Sequence, residues 1–210
     1  MDMREPSPYL LLNYLQLAPE KVQPVRALLL EPRQNDARFF RSVYLHEAGD
    51  RVLELVGLPD LAATRELVTD PAWADMERRL RPLLFADFRR QVHELRAQVK
   101  SAALDRAPPP HMQLRRIEVP PPRLDEYHAW REETLFAYGR KRPEIDAFAA
   151  YHSVISTEPG VLFLSWFSCS TEQYLASFQT PEYQEWIKYA GAHFIAGGSN
   201  ALHTSTWTRQ

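Results

Sequence analysis

The sequence predicts an α+β fold in which one β-α-β-β-α-β unit occurs twice along 210 residues. Three observations carry this. Sliding the chain over itself by 110 residues lays FFRSVYLHEAGDRVLELVGLPD, residues 39–60, on AAYHSVISTEPGVLFLSWFSCS, residues 149–170, without a gap. At the same shift Pro71 falls on Pro181 and Trp73 on Tyr183, so each copy has a proline that breaks one helix and opens the next. Between the copies, VKSAALDRAPPPH loses all periodicity and ends in prolines, which favour an extended connector. The expected boundaries are a first unit over 8–100, a Pro-rich linker over 101–111 and a second unit over 112–210.

Taken in order, YLLLNYLQL is an apolar run of strand length, and PEKVQPVRALLL after it reads as a helix. The first hairpin turns at Ala48-Gly49-Asp50, where glycine supplies the backbone angles required. Helices start at Leu61 and Pro71, and FRRQVHELRAQ, residues 88–98, fits either the closing strand or a helix. In the second copy MQLRRIEV is a strand and RLDEYHAWREETLFAY a helix. The second hairpin turns at Glu158-Pro159-Gly160, helices start at Thr171 and Pro181, and the alternating ALHTSTWT, residues 201–208, closes the unit. This order is the ferredoxin-like unit, whose sheet has helices on one face and a bare face that must be buried. Two tandem copies can pair their antiparallel sheets into an α/β barrel within one chain.

With 45% hydrophobic and 25% charged residues, the chain has the composition of a soluble globular protein. No run approaches the ~18 apolar residues of a membrane span. The start, MDMREPSP, lacks the basic-then-apolar order of an export signal, so a cytoplasmic protein with no membrane partner is expected. The single cysteine, Cys169, agrees with a reducing compartment. A net charge of -2 and the lack of basic clusters interleaved with aromatics exclude nucleic acid. Twenty-one arginines against four lysines suggest a GC-rich bacterial genome. No metal site is expected: His46-Glu47 is an isolated pair and neither CxxC nor HxxxH occurs.

The second copy is the candidate for a site, because it carries polar aromatics where the first carries aliphatic or charged residues. Helical spacing puts Tyr183, Trp186, Ile187, Ala190 and Phe194 on one face with His193 at its edge. The helix over 124–138 puts Leu124, Tyr127, His128, Arg131, Leu135 and Tyr138 on one stripe. In the strands, alternation groups His203 with Trp207, His152 with Val154, Tyr151 with Ser153 and Trp166 with Leu164. Singly, each has an ordinary structural reading: aromatics fill cores, histidines hydrogen-bond, and Arg131 pairs with Glu132 or Glu133. Together they suit a planar aromatic ligand, with Trp166, Trp186, Tyr183, His193, Trp207, His128 and Tyr151 binding it. His203 and His152 can take a phenolic proton near neutral pH, and Arg131 can steady the resulting anion. The first copy offers a secondary location at Asn13, Tyr44 and His46.

The segment FQTPEYQEWIKYAG is similar to the "helix, Ser/Thr-Pro-x-aromatic, helix" segment of antibiotic biosynthesis monooxygenases, and RFFRSVYLHEAGDRVLELV resembles the hairpin of polyketide cyclases. With the element order, these make the chain similar to the dimeric α/β-barrel superfamily, whose polyketide-acting members occur in actinobacteria. The resemblance implies a ligand between the sheet and helices of one unit. It leads to the expectation of a cytoplasmic monooxygenase acting with O2 on a polyketide-type polyphenol or hydroquinone, without a tightly bound cofactor. A polyketide cyclase, a haem-dependent enzyme and a non-catalytic binding barrel stand as alternatives. Reduced flavin supplied by a separate protein and a homodimer of the two-unit chain stay open. The haem-degrading members carry an axial histidine four residues after the motif's aromatic, where this chain has Ile187; His193 comes ten residues after Tyr183.

Overall fold

The computed structural model describes residues 6–32, 39–102, 109–158 and 160–210. Both copies carry the expected order of elements. The first runs β1 (Tyr9–Gln16), α1 (Val22–Leu30), β2 (Phe40–His46), β3 (Arg51–Leu58), α2 (Ala62–Thr69), α3 (Pro71–Leu80) and β4 (Arg89–Lys100). The second runs β5 (His111–Ile117), α4 (Leu124–Arg131), α5 (Ala137–Lys141), β6 (Ala147–Ile155), β7 (Val161–Phe167), α6 (Thr171–Ala176), α7 (Pro181–His193) and β8 (His203–Arg209). The ambiguous segment 88–98 is strand, pairing antiparallel with β1 so that Leu11 lies against Val92. The strands close into an antiparallel barrel in the order β1-β3-β2-β8-β5-β7-β6-β4, which is the α+β barrel expected from the repeat.

Two compact units emerge. One is built on the chain up to Leu95 with Val154–Ser156 and Trp207–Gln210, the other on Arg96–Ser153 and Thr157–Thr206. Of the expected linker, residues 103–108 lie outside the described residues, as does Pro159 of the second turn. No helix among the described residues is long and apolar enough to cross a membrane.

Local chemistry fixes the helix starts. The Asp70 side chain accepts from the Ala72 amide at 2.8 Å and Pro71 occupies the first turn of α3. Thr180 and Pro181 do the same for α7, with Thr180 Oγ1 accepting from the Tyr183 amide at 3.3 Å. Gly49 has φ of 72°, which a side chain would strain, and it closes the first hairpin. Between α4 and α5 the helix makes one π turn over Glu132–Phe136.

In the first unit, Leu11, Val56 and Val92 pack under Ala63, Leu67 and Trp73, while Leu15, Val43 and Val52 pack under Val25, Leu29 and Met76. In the second, Phe148, Ala150, Val161 and Phe163 pack with the helical Tyr127, Phe136, Tyr174 and Tyr183. Helix-facing positions are thus odd in β2 and even in β3, but even in β6 and odd in β7. A shift of 110 residues, being even, lays helix-facing residues of one hairpin on residues of the opposite sheet face in the other. The gapless overlay has the right order and the wrong parity. The hairpins differ in length: the pairs nearest the turns, Leu45 with Val52 and His152 with Val161, correspond at shifts of 107 and 109 residues.

Candidate functional site: an apolar cavity in the second unit

A cavity of about 600 Å³, counting the space open at its mouth, lies between the sheet and the helices of the second unit. Ile117, Phe163 and Phe148 form its sheet side, and Phe178, Ile187 and Ala190 its helix side. Only four of the residues lining it offer polar side chains: Arg115, Tyr127, Ser165 and Tyr183.

Tyr183 is set by the chain break before α7. The Tyr138 hydroxyl donates to the Ser177 carbonyl at 2.5 Å and sits 3.1 Å from Thr180 Oγ1, which pins the α6–α7 corner. The Tyr183 ring then packs 5.1 Å from Tyr138 and 5.0 Å from Phe178, centroid to centroid. From β5, Arg115 reaches up between these rings: its Nη1 donates to the Tyr183 hydroxyl, and its guanidinium lies 4.5 Å over Phe178. Its Nε is buried without a hydrogen-bond partner, and no carboxylate among the described residues pairs with it. Burial opposes its charge, but the Tyr183 and Tyr174 oxygens outweigh that and hold its pKa above the ordinary value. The result is a permanent cation in an apolar lining, a setting that favours an anionic ligand group.

Tyr127 approaches from α4. Its side chain is fully buried, and its hydroxyl has no acceptor for its proton among the described residues, the Arg131 guanidinium being the polar group that acts on its oxygen. Arg131, one helical turn on, is buried and lies over the rings of Tyr127 at 5.5 Å and Phe136 at 4.8 Å. Neither Glu132 nor Glu133 is its partner: Glu132 pairs with Arg140, and both glutamates are exposed.

Of the residues singled out from the sequence, Tyr183 lines the cavity. Trp186, half-buried on the same helix, packs edge-on against Tyr138 at 5.7 Å. His128 is half-buried beside Tyr127, with its Nε2 unpartnered. Burial lowers the His128 pKa, and the charges of Arg131, His152 and Arg96 push in the same direction. His152 shares the helix-facing side of β6 with Phe148 and has Nδ1 3.2 Å from the Ser153 carbonyl. Tyr151 and Trp166 alternate onto the other face of the sheet, away from the unit's helices. His203 is exposed at the start of β8. His193 is exposed and stacks on Tyr189 at 4.1 Å. Trp207 is buried in the first unit, 4.9 Å from His46 and 6.1 Å from Tyr14.

The secondary trio is split by the sheet. Asn13 is on the helix-facing side, donating to Glu54 Oε2 at 3.1 Å, while Tyr44 and His46 lie on the opposite face. There His46 Nδ1 accepts from the Ala48 amide at 3.1 Å and closes the turn. Arg115 escaped the sequence reading because it is one of two adjacent arginines on β5, and alternation alone does not say which of Arg115 and Arg116 faces the helices.

No family profile matches the chain, and no curated protein does. Solved structures do match in fold. A proposed monooxygenase from Fusobacterium nucleatum superposes with a TM-score of 0.72 at 8% identity, over 97% of this chain and 93% of that one. An anthrone oxidase-like protein superposes with a TM-score of 0.72 at 13% identity, over 100% and 94%. A proposed monooxygenase from Lactobacillus acidophilus gives 0.65 at 12% identity, over 97% and 94%. The chain has the fold of these proteins, the duplicated ferredoxin-like barrel that the element order led us to expect. At such identities the likeness is one of fold, and the chemistry must be argued from the site.

Proposed function

We propose that the second unit binds a flat phenolic or hydroquinone-type aromatic in this cavity and promotes its reaction with O2, as a monooxygenase without a tightly bound metal. The observation that carries the reading is Arg115: a cation without a carboxylate partner among the described residues, facing an aromatic-lined cavity, with a tyrosine hydroxyl held at its side. The ligand ring lies against Phe163, Phe178 and Ile187, and its ionised oxygen meets Arg115 and Tyr183. Because Arg115 donates to the Tyr183 oxygen, the Tyr183 proton is still free to donate to the ligand. Fixed donors of this kind aimed at a developing oxyanion are worth roughly 10²–10³ in rate. Removal of the phenolic proton is assigned to His152, which shares the helix-facing side of β6 with Phe148 but lies outside the cavity lining and so takes the proton through water; His203, exposed on β8, is the second candidate. The electron-rich ring carbon then takes up O2; one oxygen becomes a ring carbonyl and the other leaves as water. The fold shared with proposed monooxygenases and an anthrone oxidase-like protein supports this class of reaction.

Haem fits the lining poorly in its His- and Cys-ligated forms, because neither histidine nor cysteine is among the described residues that line the cavity. Oxygen consumption with anthrone tests the reading. The expected result is one O2 per anthrone with quinone formed, falling about 100-fold in Arg115→Gln. Uptake no faster than in buffer sinks it, and a Soret band in the purified protein replaces it with a haem-dependent reaction. A rise in rate on adding a flavin reductase would bring in flavin supplied by a partner.

A further inference from the structure

We propose that Tyr127 is a second ligand-binding group of this cavity, donating its phenolic proton to an acceptor oxygen of the bound aromatic, with Arg131 as its positioning residue. This rests on the reading of the cavity as an aromatic-binding site and gives it a second pole. Of the other buried tyrosines of the helical layer, Tyr138 spends its proton on the Ser177 carbonyl and Tyr174 on Gln113 Oε1 at 3.2 Å, while the Tyr183 oxygen accepts from Arg115. Tyr127, equally buried, has no such partner, although its side chain lines the cavity. A buried phenolic proton without an acceptor is costly, so one that sits in the wall of a pocket marks a place for a ligand atom.

Arg131 does not satisfy it. Arginine has donors only, so however its guanidinium approaches the Tyr127 oxygen, the phenolic proton stays unspent. The guanidinium instead lies between two aromatic faces, Tyr127 and Phe136, and fixes the Tyr127 ring. The π turn that follows Arg131 makes this sandwich: its extra residue brings Phe136, 1% exposed, under the arginine where unbroken α-helical spacing would present Leu135. Such turns concentrate at functional sites because they cost a regular helix its best hydrogen bonding. Burial raises the Tyr127 pKa while Arg131 pulls it down, and the raised value keeps the group a neutral donor at physiological pH. The ligand class follows from the two poles. It is a flat aromatic with two separate oxygens, one ionised against Arg115 and one, a carbonyl or hydroxyl, accepting from Tyr127.

Titration of 1,2-dihydroxyanthraquinone, followed by its visible absorbance, tests this on the full chain. Tyr127→Phe is expected to weaken binding about 10-fold, the equivalent of ~1.4 kcal/mol. Arg131→Gln, which keeps the hydroxyl but releases the ring, should weaken it by a smaller factor. Free Tyr127→Phe protein should melt at the wild-type temperature or above it, since an unsatisfied group has been removed; a tyrosine serving only structure would melt lower. Equal affinity of Tyr127→Phe and wild type, or a lower melting temperature of the free variant, overturns the assignment and leaves the oxygenase reading standing. Unchanged affinity in Arg131→Gln overturns the positioning role. If wild type does not bind the dye, the aromatic-site reading falls and the assignment with it; dye binding without oxygen uptake from anthrone removes the oxygenase chemistry alone.

Discussion

Arg115 and Tyr183 come from β5 and α7 and meet in a lining that is otherwise almost wholly apolar, so each has a role the other defines. Replacing a buried charge by a well-packed apolar group is often neutral or stabilising, because the desolvation cost disappears. Arg115→Met should therefore hold or raise the melting temperature while abolishing uptake of O2 with anthrone. A variant that loses both equally would make Arg115 a structural residue. His128 gives a second prediction, in pH. Burial and its cationic neighbours put its folded-state pKa below the ordinary 6.5, and burial and Arg51 do the same for His46. The unfolded chain therefore takes up these protons first. Stability is full above about pH 6.5 and falls as pH drops through that value. Thermal melts between pH 8 and 5 should show the decline, and His128→Gln should make it shallower; an identical slope would remove His128 from the account. At this scale the sequence was only partly legible. Tyr183 stood out through its Thr-Pro cap, but Arg115 did not, because two adjacent arginines on a strand look alike until the register is known.

The α4–α5 segment explains another limit of pattern reading. Spacing of 3.6 residues placed Tyr127, Arg131, Leu135 and Tyr138 on one stripe, and the first two and the last are indeed buried. The π turn shifts the phase in between, so Phe136 is buried and Leu135 half-buried. No propensity rule anticipates such a turn, which seats Arg131 over the rings of Tyr127 and Phe136. The end of α7 depends on a different contact. A Cβ on Gly191 would sit 2.6 Å from the Ser199 backbone nitrogen, so the helix can approach the 198–201 turn only with glycine there. Gly191→Ala should cost about 1–3 kcal/mol, read as a lower denaturation midpoint. A wild-type midpoint would mean that the turn yields freely.

Across the whole molecule, the two copies fill the same layer between sheet and helices in opposite ways. In the second unit that layer holds the cavity. In the first, Trp73 stands at the start of α3 as Tyr183 does in α7, and packs on Leu11, Val56 and Val92. Below it, Glu54 is 1% exposed and takes Asn13 Nδ2 at 3.1 Å and Arg41 Nε at 2.5 Å. Removing one partner of a buried pair strands the other, so Glu54→Ala should cost about 3–5 kcal/mol in thermal or denaturant melts. A change under 1 kcal/mol would mean the cluster is hydrated. Element order and barrel closure were legible from the repeat because turn residues and hydrophobic period survive divergence. The faces of the hairpins were not, because two added residues at a turn leave both strands recognisable.

That parity has a consequence for anyone recombining the halves. A chimera that exchanges β2–β3 for β6–β7 with crossovers at the 110-residue alignment would turn each grafted strand inside out, placing Leu164 where Glu54 meets Arg41 and sending Phe163 to the wrong side. Moving each crossover by a single position restores the sidedness. The alignment with the fewest gaps is therefore the wrong guide to where this two-copy chain can be cut and rejoined.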